Sequence, residues 1–271
     1  MVVNVINNIF AVKCLNLFLL WIQKYTICMV SKNQKKLIKS LNQKKYRKQH
    51  GLFVAEGKKV IHELLDAKFK IHSIFTVDES LFDLPERLVH VITVDELKQL
   101  SFLSTPQLAL AIFYIPESKP VDKEALIVAL DDVRDPGNLG TIIRLCDWFD
   151  IRDLVCSAAT VDCFNPKVIQ ATMGSITRVN ISYVHLEEFL HSGFSKESIF
   201  GTFMDGDSVY QKKLPKKGVV IMGNEANGIS KVIESSIQER IAIPQFGSDK
   251  STESLNVATA AAIILSEFRR S

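Results

Sequence analysis

The chain has 271 residues, enough for one large domain or two modest ones, each able to bury a core. Its composition, 47% apolar and 23% charged, excludes an intrinsically disordered chain, and five cysteines without a C-x-x-C pair exclude a disulfide framework. A net charge of +3 is too small to identify a nucleic-acid binder, so the distribution of charge has to answer that question. The cysteine usage fits a reducing cytoplasm, and the six scattered histidines lack the short pairings of metal sites, so no metal is expected.

Residues 1–30 are apolar-rich and admit three readings. A membrane-spanning helix needs roughly 20 consecutive apolar residues, but Lys13 and Lys24 bracket a much shorter run with Asn16 inside. A signal peptide needs positive charge before its apolar stretch and a small-residue cleavage site after it, and neither is evident. The reading favoured here is an extension without catalytic role, with the functional protein opening at Met29. Residues 32–48 then carry eight Lys or Arg and no acid, with Leu37, Ile38 and Leu41 at helical spacing. A run of this kind is either a solvated helix face or a docking face for a polyanion.

Past it, residues 51–57 read as a strand and 58–69 as a helix with Val60, Ile61, Leu64 and Leu65 inward. Residues 71–77, 88–94 and 108–115 read as strands, and Asp95 is expected to cap a short helix ending near Leu100. These elements make a small α/β domain over 31–115. Residues 116–124 are polar, hold two prolines and have no apolar period, which marks a linker.

From 125 to 271 strands alternate with helices: strands at 126–130, 154–157, 179–183, 199–203, 219–222 and 241–243, and helices at 138–149, 166–173 and 255–268. Near-continuous apolar strands separated by helices imply a parallel sheet covered on both faces. In such a sheet ligands bind beyond the carboxyl ends of the strands, where loops meet helix N-termini.

The unusual residues collect at those ends. In D-D-V-R-D-P-G-N-L-G-T-I-I-R (131–144), Pro136-Gly137 is expected to form a turn and Asn138 to cap the helix. Arg144 lies among apolar neighbours, where a cation needs a partner. The second cluster, G-N-E-A-N-G-I-S (223–230), is glycine-bearing but has Ile229 where a phosphate loop needs lysine, and no G-x-G-x-x-G stands elsewhere. The third, I-P-Q-F-G (243–247) followed by S-L-N-V-A-T-A-A (254–261), sets Ser254 and Asn256 at a helix start.

In order and spacing these three clusters resemble the motifs of the SpoU (TrmH) family of RNA 2′-O-ribose methyltransferases. Ala226 and Ala258, small residues where glycine and serine are common in the family, depart from the pattern only slightly. The resemblance implies a SPOUT-type α/β catalytic domain with a deep trefoil knot at its C-terminal end, preceded by a small α/β RNA substrate-binding domain. It implies S-adenosylmethionine as cofactor, held near Thr202, Phe203, Met204, Gly223, Asn224, Glu225, Ile243 and Leu255. It implies a homodimer acting on structured RNA, more readily ribosomal than transfer RNA. Asn138, Arg144, Glu225, Ser254 and Asn256 are then the expected catalytic residues, and Lys35, Lys36, Lys44, Lys45, Arg47 and Lys48 the expected RNA contacts. The competing reading is a non-catalytic RNA-binding dimer that keeps the fold.

The family assigns the arginine at position 144 as a base. Neutralising an arginine near pH 7 costs on the order of 8 kcal/mol, so a charged Arg144 that holds a phosphate and stabilises a developing alkoxide is the more economical expectation.

Overall fold

A computed structural model describes residues 29–195, 198–247 and 254–270. The apolar extension expected over 1–30 lies outside the described residues, except for its last two positions.

The basic segment forms two helices rather than one. The first, α1 (Lys32–Ser40), starts from a capping box: Ser31 Oγ accepts from the Gln34 amide while the Gln34 side chain accepts from the Ser31 amide. The second, α2 (Lys44–His50), ends at Gly51 with φ +63°, a left-handed stop that glycine adopts without steric cost. Ile38 and Leu41 are fully buried, as their spacing requires.

Next come β1 (Leu52–Glu56), α3 (Lys58–Asp66), β2 (Ile71–Thr76), β3 (Val89–Val91), α4 (Val94–Leu100) and β4 (Ala109–Tyr114). The sheet order is β1-β4-β2-β3, antiparallel except for the β2–β3 pair. The cap of α4 is Thr93, not Asp95, because Thr93 and Glu96 complete a reciprocal capping box that an aspartate two residues later cannot make. One face of the sheet is covered by α1 and α4 through Ile38, Leu41, Leu97 and Leu100.

The second sheet is built from β5 (Leu126–Leu130), α5 (Pro136–Trp148), β6 (Asp153–Ser157), α6 (Pro166–Thr172), β7 (Asn180–Val184), α7 (Leu186–His191), β8 (Ile199–Ser208), β9 (Gly218–Met222), α8 (Lys231–Glu234), β10 (Glu239–Ala242) and α9 (Val257–Arg270). Its order is β10-β8-β9-β5-β6-β7 and every pairing is parallel. Side chains of α5, α6 and α9 cover one face and those of α7 and α8 the other, so strand residues alternate between two cores. Between β8 and β10 the register jumps from Gly201↔Arg240 to Asp207↔Ile241, so residues 202–206 arch out of the pairing. The knot expected at the C-terminal end depends in part on residues 248–253, which lie outside the described residues.

The two sheets are tied together. Phe53 of β1 packs on Phe164 with ring centroids 4.8 Å apart, and one apolar cluster runs from β1 and α3 into α5 and α6. Arg178 bridges Glu63 of α3 at 2.8 Å and Asp147 of α5 at 2.9 Å. Arg47 is 2% exposed; its Nε and Nη2 donate to Asp162 at 2.8 and 2.5 Å, and its Nη1 donates to the carbonyls of Leu41 and Asn42. Arg47 is therefore not available to RNA, which corrects the expectation for this residue. Its guanidinium seals the α1–α2 turn against the loop after β6.

Among the described residues no helix is long and apolar enough to cross a membrane, and no group of three or more His, Cys, Asp or Glu is placed to hold a metal ion. Cys146, Cys156 and Cys163 are buried free thiols, which burial pushes well above the usual thiol range.

Candidate active site

Three loops leave the carboxyl ends of β5, β9 and β10 side by side. The loop after β5 opens α5 differently from the sequence expectation. Asp135, not Asn138, is the N-cap, its Oδ1 accepting from the Asn138 amide at 2.8 Å, and Pro136 occupies the first helical position instead of a turn. Proline's fixed φ suits that position and its missing N–H costs nothing there. With the cap supplied by Asp135, the Asn138 side chain is free for other work.

That side chain donates from Nδ2 to Glu225 Oε1 at 2.9 Å, and its Oδ1 accepts from Asn256 Nδ2, also at 2.9 Å. Asn256 Oδ1 accepts from the amides of Ala258 and Thr259, which makes Asn256 the cap of α9. The orientation of both amides follows from chemistry. The helix amides need an oxygen from Asn256, so Asn256 turns its nitrogen to Asn138, which must answer with its oxygen and present its own nitrogen to Glu225. Each Nδ2 keeps a second N–H that binds nothing among the described residues. Three residues far apart in sequence thus form one directed relay at the lip of a cleft.

The loop after β9 is closed on itself. Asn224 and Gly228 exchange two backbone hydrogen bonds of 2.9 Å, and a Cβ on Gly223 would run into the Gly228 backbone. Asn224 Oδ1 accepts from the amides of Ala226 and Asn227, its Nδ2 donates to the Asp132 carbonyl at 2.7 Å, and Asp131 Oδ2 accepts from the Ser230 amide at 2.8 Å. Both ends of the loop are therefore pinned to the loop after β5. Asp131 and the Asn224 side chain do this work, and residue spacing gave no signal for it.

The cleft has a volume of about 720 Å³. Thr202, Phe203, Met204, Gly223, Asn224, Glu225, Ile243, Ser254 and Leu255 all line it. Met222, Ile229, Ile241, Val257 and Ile264 make its apolar wall. Its charged lining residues among those described are Glu225 and Glu234, with no Lys or Arg. An apolar slot with acids and no cations suits a phosphate-free, positively charged adenosyl compound and not a nucleoside triphosphate. Gly228 also lines the cleft and has nothing within 4 Å of where a Cβ would stand, so there is open space beside its Cα.

Arg144 does not join the relay. It lies six residues beyond Asn138 on α5, about 120° around the helix axis, exposed and with no hydrogen bond or ion pair among the described residues. The partner expected for it is absent because the side chain faces outward, away from the apolar neighbours that suggested burial. Trp148, one turn further on, is 83% exposed. Of the basic front residues, Lys36, Lys44, Lys45 and Lys48 are exposed and Lys35 is half-buried, donating to Gln99 at 3.2 Å. Lys44 lies 5.5 Å from the ring of Tyr183 near the carboxyl end of β7, which puts α2 at the same edge of the sheet as the three loops.

The profile of the SpoU rRNA methylase family matches residues 125–266, and that of the MRM3-like substrate binding domain matches residues 32–111. The chain is 31% identical to the 23S rRNA (guanosine(2553)-2′-O)-methyltransferase RlmP of Bacillus subtilis, over 88% of this chain and 97% of the relative. Among solved structures it is similar to a TrmH-family RNA methyltransferase from Porphyromonas gingivalis, described as putative, with TM-score 0.79 and 35% identity over 90% of this chain and 99% of the other. It is similar also to an AdoMet-bound rRNA methyltransferase from Sinorhizobium meliloti, with TM-score 0.77 and 30% identity over 89% and 97%. A family profile that spans the whole parallel-sheet region and a relative aligned almost end to end place the matter beyond fold likeness: the chain belongs to the SpoU rRNA methylase family.

Proposed function

We propose that the chain transfers the methyl group of S-adenosylmethionine to a ribose 2′-hydroxyl of ribosomal RNA, in the cytoplasm and as a homodimer. The observation that carries this reading is the Asn256–Asn138–Glu225 relay standing at the lip of a cleft that no Lys or Arg lines among the described residues. The ribosomal substrate is supported by the names of the relatives, and the cofactor by the AdoMet-bound neighbour and the acidic, apolar lining. In this reading residues 31–115 hold the RNA, residues 125–271 perform the transfer, and a trefoil knot shapes the cofactor cleft.

The bound cofactor supplies a methyl group on a cationic sulfur. The protein's share is positioning and electrostatics, which supply several kcal/mol when the acceptor is held in line. The free N–H groups of Asn138 and Asn256 offer donors to phosphate or sugar oxygens at the cleft lip, and Ser254 adds a hydroxyl beside them. Arg144, with no partner among the described residues, brings a guanidinium fork to the phosphate next to the target ribose and stabilises charge as the hydroxyl proton passes to solvent water. Glu225 fixes the relay's direction. The exposed apolar residues Met204 and Leu255 on the cleft lining, with Phe246 in the loop after β10, form the surface that a second copy covers.

The test is incubation of the purified chain with labelled cofactor and total RNA, followed by mapping of the 2′-O-methyl site. Incorporation into ribosomal RNA is expected. Label confined to transfer RNA overturns the substrate, and binding of RNA and cofactor without incorporation overturns the enzyme.

A further inference from the structure

Where residues 202–206 meet the end of α8, the cleft borders an ionic cluster with no role so far. Residues 202–206 arch out between β8 and β10, and Arg240 sits where the register jumps. Its guanidinium carbon lies 3.5 Å from the centroid of the Phe203 ring, its Nη2 donates to Asp205 at 2.5 Å, and its Nη1 donates to Glu234 Oε1 at 2.6 Å. Arg240 therefore ties the arch to the end of α8. The hydrogen bond from Arg240 holds the Asp205 carboxyl below the usual carboxylate range.

Two members of this cluster, Phe203 and Glu234, line the cleft. A carboxylate offers about four lone-pair directions, and Arg240 occupies Oε1 alone, so Oε2 remains as an acceptor. An arginine already paired with that carboxylate weakens its pull on a free cation but leaves its power to accept O–H hydrogen bonds. The neutral donors of an adenosyl compound that best fit one carboxylate are its two vicinal ribose hydroxyls, the contact that acidic residues make in dinucleotide folds.

We propose that Glu234, oriented by Arg240, is the cofactor-binding residue that accepts the ribose hydroxyls of the adenosyl group. This rests on the S-adenosylmethionine reading above. Arg240 is a positioning residue: it stacks on Phe203 and fixes the Glu234 rotamer, so the arch and the acceptor form one wall of the site.

The test measures dissociation constants by calorimetry on the full chain, with S-adenosylhomocysteine, its 2′,3′-dideoxyribose analogue, and methylthioadenosine, which keeps the diol and lacks the amino acid. A charged hydrogen bond of this kind corresponds to a preference of about 10-fold or more for the diol in the wild type. Glu234→Ala is expected to reduce that preference to within about two-fold, with Glu234→Gln intermediate, while the penalty for losing the amino acid stays as in the wild type. Arg240→Met is expected to weaken the diol preference in the same direction. A diol preference that survives in Glu234→Ala overturns the assignment, as does a variant whose lost affinity tracks the amino acid instead. Absence of S-adenosylhomocysteine binding to the wild type overturns the cofactor reading itself, a separate failure. Glu234 ends a short helix with its side chain 41% exposed, and Glu234→Gln preserves its shape, so folding does not confound the comparison.

Discussion

Asn256 Nδ2 lies 2.9 Å from Asn138 Oδ1, so the first turns of α5 and α9 are joined side chain to side chain across 118 positions of sequence. The contact is directional: Asn256 spends its oxygen on its own helix and its nitrogen on Asn138, which passes a donor on to Glu225. Asn138→Asp keeps the shape but replaces that donor with a carboxylate facing another carboxylate. Turnover is expected to fall at least about 100-fold, the cost typical of removing one preorganised donor. Cofactor affinity is expected to change by less than about three-fold. Measured kcat beside a calorimetric Kd checks this, and equal losses in both would move Asn138 from the transfer step to cofactor binding.

Arg144 is exposed and has no partner among the described residues, so its substitution has no internal ion pair to break. Arg144→Lys is expected to leave urea stability within about 0.5 kcal/mol of wild type, as for other surface changes. Its turnover is expected to drop at least about 100-fold across the pH range, because lysine keeps the charge but loses the planar fork. Near-normal turnover, or a drop recovered at high pH, removes the case for a guanidinium held as a cation.

The parallel-sheet architecture was legible in the sequence because its strands are buried on both faces and read as short apolar runs; the run at 126–130 coincides with β5. The relay residues were legible only through the family likeness, since nothing in local spacing says that Asn138 and Asn256 meet. What escaped reading is what depends on competition between neighbours. Asp135 displaced Asn138 as the cap because the proline after it fits the first helical position, and Thr93 displaced Asp95 because Glu96 answers it. Arg47 looked like one more cation in a basic run until the fold brought Asp162, 115 residues away, against it.

Arg47 and its basic neighbours are therefore expected to separate in experiment. Asp162→Ala strands a guanidinium that is 2% exposed and should cost about 3–5 kcal/mol of stability by urea denaturation, with part recovered in the double variant Arg47→Met/Asp162→Ala. Replacing Lys44, Lys45 and Lys48 with glutamine should leave stability within about 1 kcal/mol. The same variant should weaken RNA binding and flatten its salt dependence by up to about 0.9 for each phosphate no longer neutralised on duplex-like segments. Unchanged RNA affinity at two salt concentrations would return this run to the status of a solvated face.

Close approach of two helices sets the position of the whole site. Gly140 of α5 lies against Ala171 of α6 so tightly that a Cβ on Gly140 would collide with the Ala171 methyl and stand 3.1 Å from its carbonyl carbon. The same α5 carries Asn138 and Arg144, and α6 packs on β1 of the front domain, so this packing relates the front domain to the cleft and its relay. Gly140→Ala forces α5 outward and should cost about 1–3 kcal/mol as an overpacked site. Because one ångström of misplacement is worth about 100-fold in rate, turnover should fall further than stability alone accounts for. Ala171→Gly removes the opposing methyl, so the double variant Gly140→Ala/Ala171→Gly is expected to regain most of the turnover and the part of the stability due to the clash. If the double variant stays as impaired as Gly140→Ala, the lesion lies in the helix backbone of α5 and the packing against α6 does not set the geometry of the site.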